Sequence, residues 1–470
     1  MKIKSSFGYF DQGGAEFVVT GYDTPLPLVN YYWNERFISG ASQHMAGIGC
    51  FTGRPMQYMD PGCRCLIVRD ENRHFYLRDD ETGHFWSPGY YPVSRVAPDS
   101  FQCRHGLGYS VLEASNYGIK TRLRIFVPED LETELWTVRL TNETSRSRKV
   151  RFYSFIDWLL TGYEEYCDYH SALRGTYDPE SYSVTGLNKA PECPHERFGA
   201  FVASDRPPSG FDTSRRDFLG ALGTVSVPEA VIRGRMGNSL AVCEKMAGTL
   251  EHTFELEPGG LVEFNVAMGS TDSAETTREI CKRAFGPQPV EKVEKLFAGM
   301  QKKLEAKYAT VLVNTPDERL NYLFNGWIKR AIQLHTEVGT DTGQGLRDVL
   351  QAAWAVSSYD PEGARRKIVT SLKYQFAEGH TLRGWDPPDY HHYSDGPVWI
   401  APALESYLKE SGDYSFLDTV VPYFDKGRGT VWEHTLTAIR HATDDVGRHG
   451  LVRMHYGDWN DSLNMMGNEG

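Results

Sequence analysis

The chain has 470 residues, 40% of them hydrophobic, which is more than one core organises and predicts two or more domains. A net charge of −12 and the lack of any long basic run exclude a surface built for nucleic acid or an anionic membrane. No run of about 18 apolar residues predicts a membrane helix, and Met1–Gly8 lacks the apolar core of a signal peptide.

Residues 1–272 read as an N-terminal β-sandwich domain. Short runs such as Glu16–Thr20, Cys65–Val68, Leu123–Val127, Leu135–Leu140, Lys149–Tyr153, Gly199–Val202 and Val262–Val266 are rich in β-branched and aromatic residues. Several alternate with the period of two that buries one face. The period changes near Ser273, and residues 273–314 read as a helical linker with an apolar stripe at Val293, Leu296, Phe297, Met300, Leu304 and Tyr308. Eight cysteines are scattered up to Cys281, and Cys63-Arg64-Cys65 is not a zinc spacing. Reduced thiols in a cytoplasmic protein are the expectation.

Residues 315–470 read as helices joined by polar, aromatic-rich loops, the pattern of an α/α barrel. Thr315 is expected to cap the first helix, with Glu318 completing a capping box. Leu320, Leu323, Phe324, Trp327, Ala331 and Leu334 then follow at helical spacing. Further helices are expected near 346–358, 361–378, 397–411, 414–424 and 428–443. The chain stops just after its most chemically loaded loop, so a truncated barrel in a longer protein is expected.

Three loops in this part carry candidate chemistry. Gly343–Asp348 offers Arg347, whose planar fork suits sugar hydroxyls or phosphate, and Asp348, which serves equally as a helix N-terminal acid. Gly379–Gly396 is long and offers Trp385 and Asp395, although Ser394 or Asp395 also suits a helix cap. Its adjacent pair His391-His392 is not expected to hold a metal, because adjacent residues rarely converge on one ion and no matching pair stands nearby in the sequence. The third loop, Gly457–Asn464, packs Asp458, Trp459, Asn460 and Asp461 into four consecutive positions. Carboxylates move protons, an indole stacks on a sugar ring, and amides bond hydroxyls in both directions. Ser462 lacks the G-x-S-x-G context of a nucleophile.

Taken together, ordered motifs along the whole chain resemble the inverting β-glycoside phosphorylases of the cellobiose/chitobiose phosphorylase family, glycoside hydrolase family 94. They are Phe7–Asp11, Asp23–Pro27 with Asn30-Tyr31, Asp79–Ser87, His105–Tyr109, Phe126–Pro128, Asn325–Trp327, Gly345–Asp348, Ser394-Asp395 with Trp399, and Asp458–Asp461. The resemblance implies a β-sandwich, a helical linker, an (α/α)6 barrel and a small C-terminal β-domain. It also implies that Asp461 is the general acid, that Trp459 and Arg347 hold the donor sugar, and that inorganic phosphate is the co-substrate, with no cofactor or metal. A homodimer is implied as well. Gln351-Ala352 departs from the family's Gln-Asp, which bears on the donor sugar, and the family's later phosphate-binding elements lie beyond residue 470. The expected function is phosphorolysis of a cellobiose-like β-linked saccharide. The alternatives are an inverting hydrolase, with Asp458 or an acid of the 386–395 loop as base, and a non-catalytic carbohydrate-binding module.

Overall fold

The computed structural model describes residues 6–460 except 12, 48, 53–63, 161–171, 189–198, 339–344 and 386–387. The chain divides at residues 304–305 into two compact units.

Among the described residues the first unit is built on two antiparallel sheets, one of ten strands and one of eight. In the larger sheet Ile119–Phe126, Thr133–Asn142 and Leu261–Ser270 lie side by side, with Ile125 opposite Trp136 and Trp136 opposite Val266. In the smaller sheet Arg148–Trp158 runs between Arg64–Asp79 and Met246–Leu256, with Phe152 opposite Leu77 and His252. Alternation along each strand then decides which core a side chain joins. Trp136, Val138 and Leu140 pack with Phe75, Leu77, Phe152 and Leu250 in one apolar core. Trp136 meets the Phe75 ring edge-on at 5.0 Å, and each fully buried side chain of this kind contributes about 1.5–3 kcal/mol over its exposed state.

The opposite faces of both sheets are also covered. Phe126, Leu135, Phe201 and Ala267 pack against Ile280, Val293 and Met300 of the helices Ala274–Ala284 and Pro289–Tyr308. The expected helical linker is therefore, up to Leu304, a layer on the sandwich. Its stripe at 293, 296, 297, 300 and 304 is the face that docks. Tyr76, Tyr153 and Phe155 of the smaller sheet pack against Phe218 and Val231 of two one-turn helices.

A charged pair sits wholly inside this unit. Arg73 Nη1 lies 2.6 Å from Glu134 Oε1, and both side chains are fully buried. Trp136 Nε1 and the Ser39 hydroxyl also donate to Glu134, while Arg73 donates to the carbonyls of Gly40 and Met45. Such a pair survives burial only because its remaining polar atoms are satisfied.

In the second unit the helices Leu346–Val356, Pro361–Leu372, Ile400–Ser411 and Val431–Asp444 share one core of Leu350, Ile368, Leu372, Ile400, Leu404 and Val431. Several expected boundaries change, each for a local reason. Helix 318–322 starts two residues late because Asp317, a stronger cap than Thr315, accepts the Arg319 N–H at 3.0 Å. The segment then continues through wide π turns at Leu323–Trp327 and Leu334–Val338. Its apolar row does not pack inward: Leu320, Leu323, Phe324 and Ile328 are exposed. The buried side is polar, with Lys329 Nζ donating to the Tyr308 carbonyl at 2.7 Å and Gln333 hydrogen-bonded to the Tyr308 hydroxyl.

The helix expected over 361–378 ends at Leu372, because the chain turns back at Gly379. There φ is 114°, and a Cβ would meet the Thr437 carbonyl oxygen at 2.6 Å. No helix spans 414–424. A short 3-10 turn at Tyr414–Asp418 gives way to the strand Val420–Pro422, which pairs with Arg428–Thr430. Two β-branched residues followed by a proline favour that extended path over a helix. The last helix consequently begins at Val431, where Thr430 and Glu433 form a reciprocal capping box.

Candidate active site

Arg347 organises the site. It stands in the first turn of the Leu346–Val356 helix, and its side chain is 15% exposed. Its Nη1 donates to Asp395 Oδ2 at 3.1 Å and to the backbone carbonyl of Asp458 at 3.0 Å. Asp395 Oδ2 also accepts from Trp399 Nε1 at 3.2 Å. One guanidinium thus joins all three loops singled out in the sequence. Asp395 does not cap the turn that follows it with its side chain; its carbonyl accepts the Val398 N–H, and its carboxylate is left to hold Arg347 and Trp399.

Backbone pairing brings the second and third loops together. Tyr393 bridges both His455 and Gly457, Ser394 N–H donates to the Gly457 carbonyl at 3.0 Å, and Tyr456 N–H donates to the His392 carbonyl at 3.0 Å. Residue 457 must be glycine for this approach, since a Cβ there would lie 2.9 Å from the Tyr393 ring. Arg383 lies over the other part of the assembly, 4.9 Å from the Tyr393 ring centroid.

The remaining sequence candidates take varied positions. Asp348 Oδ2 accepts the Gly345 N–H at 2.9 Å, so this carboxylate caps its own helix, the alternative that its position left open. Asp458 Oδ1 accepts the Asn460 N–H at 2.7 Å and shapes the turn. Trp385 has one face stacked on Tyr374 at 4.2 Å. Trp459 is 66% exposed, with its indole open to solvent. Asp461, Ser462 and the rest of the third loop lie outside the described residues, as do Gly343, Gln344 and Asp386. Ala352 is buried, so the position where the family carries an acid is closed to solvent here.

Behind this site the structure gathers histidines from distant parts of the chain. His392 Nε2 is 3.4 Å from His441 Nε2, its ring stacks on His455 at 4.0 Å, and His455 is hydrogen-bonded to Asp445. Burial, together with the neighbouring histidines, lowers the His392 pKa to about 4, so its ring is neutral at physiological pH. Burial alone raises the Asp445 carboxyl, but His455 and the other nearby histidines outweigh it and the net shift is downward. His391 turns away, with Nδ1 2.6 Å from Asp389 and its ring against Tyr456. His441 and Asp445 stand at i and i+4 at the end of a helix, but nothing in the sequence joins them to His392 and His455.

Comparison with known proteins agrees with this division into a sheet unit and a helical unit. Residues 15–286 match the supersandwich domain of glycosyl hydrolase 94, and residues 304–470 match the catalytic domain of the glycosyl hydrolase 94 superfamily. The chain is 46% identical to the solabiose phosphorylase of Paenibacillus borealis over 99% of its own length and 60% of the relative's. It is 29% identical to the N,N'-diacetylchitobiose phosphorylase of Vibrio furnissii, covering 98% of this chain and 62% of the relative. The chain thus spans about 60% of the length of the curated relatives it matches. A solved human-microbiome protein described as a candidate kojibiose phosphorylase shares the fold, with a TM-score of 0.54 at 10% identity over 89% of this chain and 59% of that one. Among the described residues no helix is long and apolar enough to cross a membrane. With both of its units matched in order, the chain belongs to glycosyl hydrolase family 94, a sheet-rich supersandwich domain followed by a helical catalytic domain.

Proposed function

We propose that the whole protein cleaves a β-linked di- or oligosaccharide by inverting phosphorolysis. The observation that supports this most directly is the Arg347 junction, which draws Asp395, Trp399 and the Asp458–Asn460 turn into one place in a chain whose relatives are named as disaccharide phosphorylases. In this reading Asp461 follows that turn directly and delivers its proton to the glycosidic oxygen. Inorganic phosphate attacks the anomeric carbon from the opposite face, so the carbon–oxygen bond to the acceptor breaks as the bond to phosphate forms. The acceptor leaves as an alcohol carrying the Asp461 proton, and the other product is an α-sugar 1-phosphate. Phosphate is already anionic, so no protein base is needed. Trp459, open to solvent, supplies a platform for a sugar ring, and Arg347 orients the donor together with Asp395. The enzyme works without a resident cofactor, as a cytoplasmic homodimer. Light scattering and fractionation test those last two points.

The deciding experiment uses the full-length protein with a panel of β-linked disaccharides that includes solabiose, N,N'-diacetylchitobiose and cellobiose. Phosphorus and proton NMR follow the anomeric signals with and without phosphate. An α-sugar 1-phosphate formed only with phosphate is the expected result. Equal release of free sugar without phosphate would make the protein a hydrolase, and no turnover on any substrate would favour a binding module.

A further inference from the structure

We propose that His392, Asp445 and His455 form a binding site for a divalent transition-metal cation of the zinc class. One ligand atom from each of the first three lies within 4.8 Å of those of the other two. A tetrahedral ion with bonds of about 2.0–2.1 Å holds its donors about 3.3 Å apart. His455 already touches Asp445, and its ring centroid lies 4.0 Å from that of His392. Turning the two stacked imidazoles so that their nitrogens converge gives a shell of two imidazoles and one carboxylate with the fourth position open. That donor set suits zinc, cobalt or nickel, whereas calcium and magnesium require mostly oxygen.

The backbone around the cluster is firmly placed. His455 sits at φ 54°, a left-handed conformation that the bridge to Tyr393 and the Tyr456–His392 hydrogen bond hold in position. Arg453, 3.8 Å from Asp445, is the cation that this carboxylate faces otherwise. The ligands come from three separate segments: the loop before the Pro397–Trp399 turn, the end of the Val431–Asp444 helix, and the stretch leading into Asp458. A shared cation would tie the Asp458–Asn460 turn to that helix end. Its role is to position a loop, with no part in proton or phosphoryl transfer. The sequence displays only the adjacent pair His391-His392, of which one ring belongs to the cluster and the other to Asp389.

The test takes full-length protein, stripped with a chelator and dialysed, and titrates it with zinc chloride by calorimetry. Wild type is expected to bind about one zinc per chain and to melt at a higher temperature with zinc than without. His392→Gln and His455→Ala should each weaken binding by at least about 10-fold and lose the zinc-dependent rise in Tm. His391→Ala should bind as wild type does. Metal-free His392→Gln should melt with metal-free wild type, which separates lost ligation from lost folding; it decides the matter alone if His455→Ala does not fold. Absence of stoichiometric binding would overturn the proposal. So would unchanged affinity in His392→Gln, or a loss in His391→Ala equal to that in the cluster variants.

Discussion

In the sheet unit Arg73 and Glu134 are completely enclosed, whereas in the helical unit Arg347 and Asp395 each keep 15% of their side chain exposed. The first arrangement holds two sheets in register around a buried charge. The second leaves a charged pair in partial contact with solvent. Both are arginine–carboxylate pairs, and the difference lies in how much water remains beside the charge.

Four substitutions test this contrast. Asp461→Asn should show the largest effect, lowering phosphorolysis on the order of 10²–10⁴-fold while sparing saccharide binding, as measured by turnover and by calorimetry with the disaccharide. Unchanged turnover would remove Asp461 from the acid's role. Glu134→Ala leaves Arg73 charged and unpaired in the sandwich, so it should cost about 3–5 kcal/mol of stability, read by denaturant melting, with turnover per folded molecule unchanged. Arg347→Lys keeps the charge but loses the planar fork that reaches Asp395 and the Asp458 carbonyl together. It should lower kcat/KM by roughly 10-fold with little change in Tm, the mirror image of Glu134→Ala. A matching loss of Tm would make Arg347 a structural residue like Arg73.

The smallest effect concerns the helical layer on the sandwich. Hydrogen bonds from Arg278 hold the Asp178 carboxyl down at about 2, against an ordinary 3.8. A depressed carboxyl stabilises the fold above its unfolded value, and that contribution is lost as pH falls from about 4 to about 2. Asp178→Asn should therefore flatten the acid limb of the stability curve across that window and leave the neutral limb's shape unchanged. A persisting acid limb would place the titration elsewhere.

Much of this fold is legible in the sequence. Period-two runs such as Leu135–Leu140 became strands because alternation is a local property of an extended chain. The stripe from Val293 to Leu304 became a docking face because helical spacing puts those residues on one side. Local preference gives way where a competing partner stands nearby. Thr315 was a sound cap until Asp317 took the role, and 414–424 had helical spacing until the valines and Pro422 paired with Arg428–Thr430. The apolar row at Leu320–Ile328 has helical periodicity, yet Lys329 and Gln333 are the side chains it buries, because Tyr308 satisfies them.

At the site the division is equally plain. Residue types and order alone nominated Arg347, Asp395 and the Asp458–Asp461 stretch, because donors, acids and an indole carry their chemistry wherever they stand. Only the tertiary structure separated Asp348, spent on capping its own helix, from Arg347, which reaches across two loops. Only the tertiary structure set His392 beside His441, Asp445 and His455 while turning His391 away. Contacts between residues dozens of positions apart depend on how loops close over a packed core, and no periodicity in the chain encodes them.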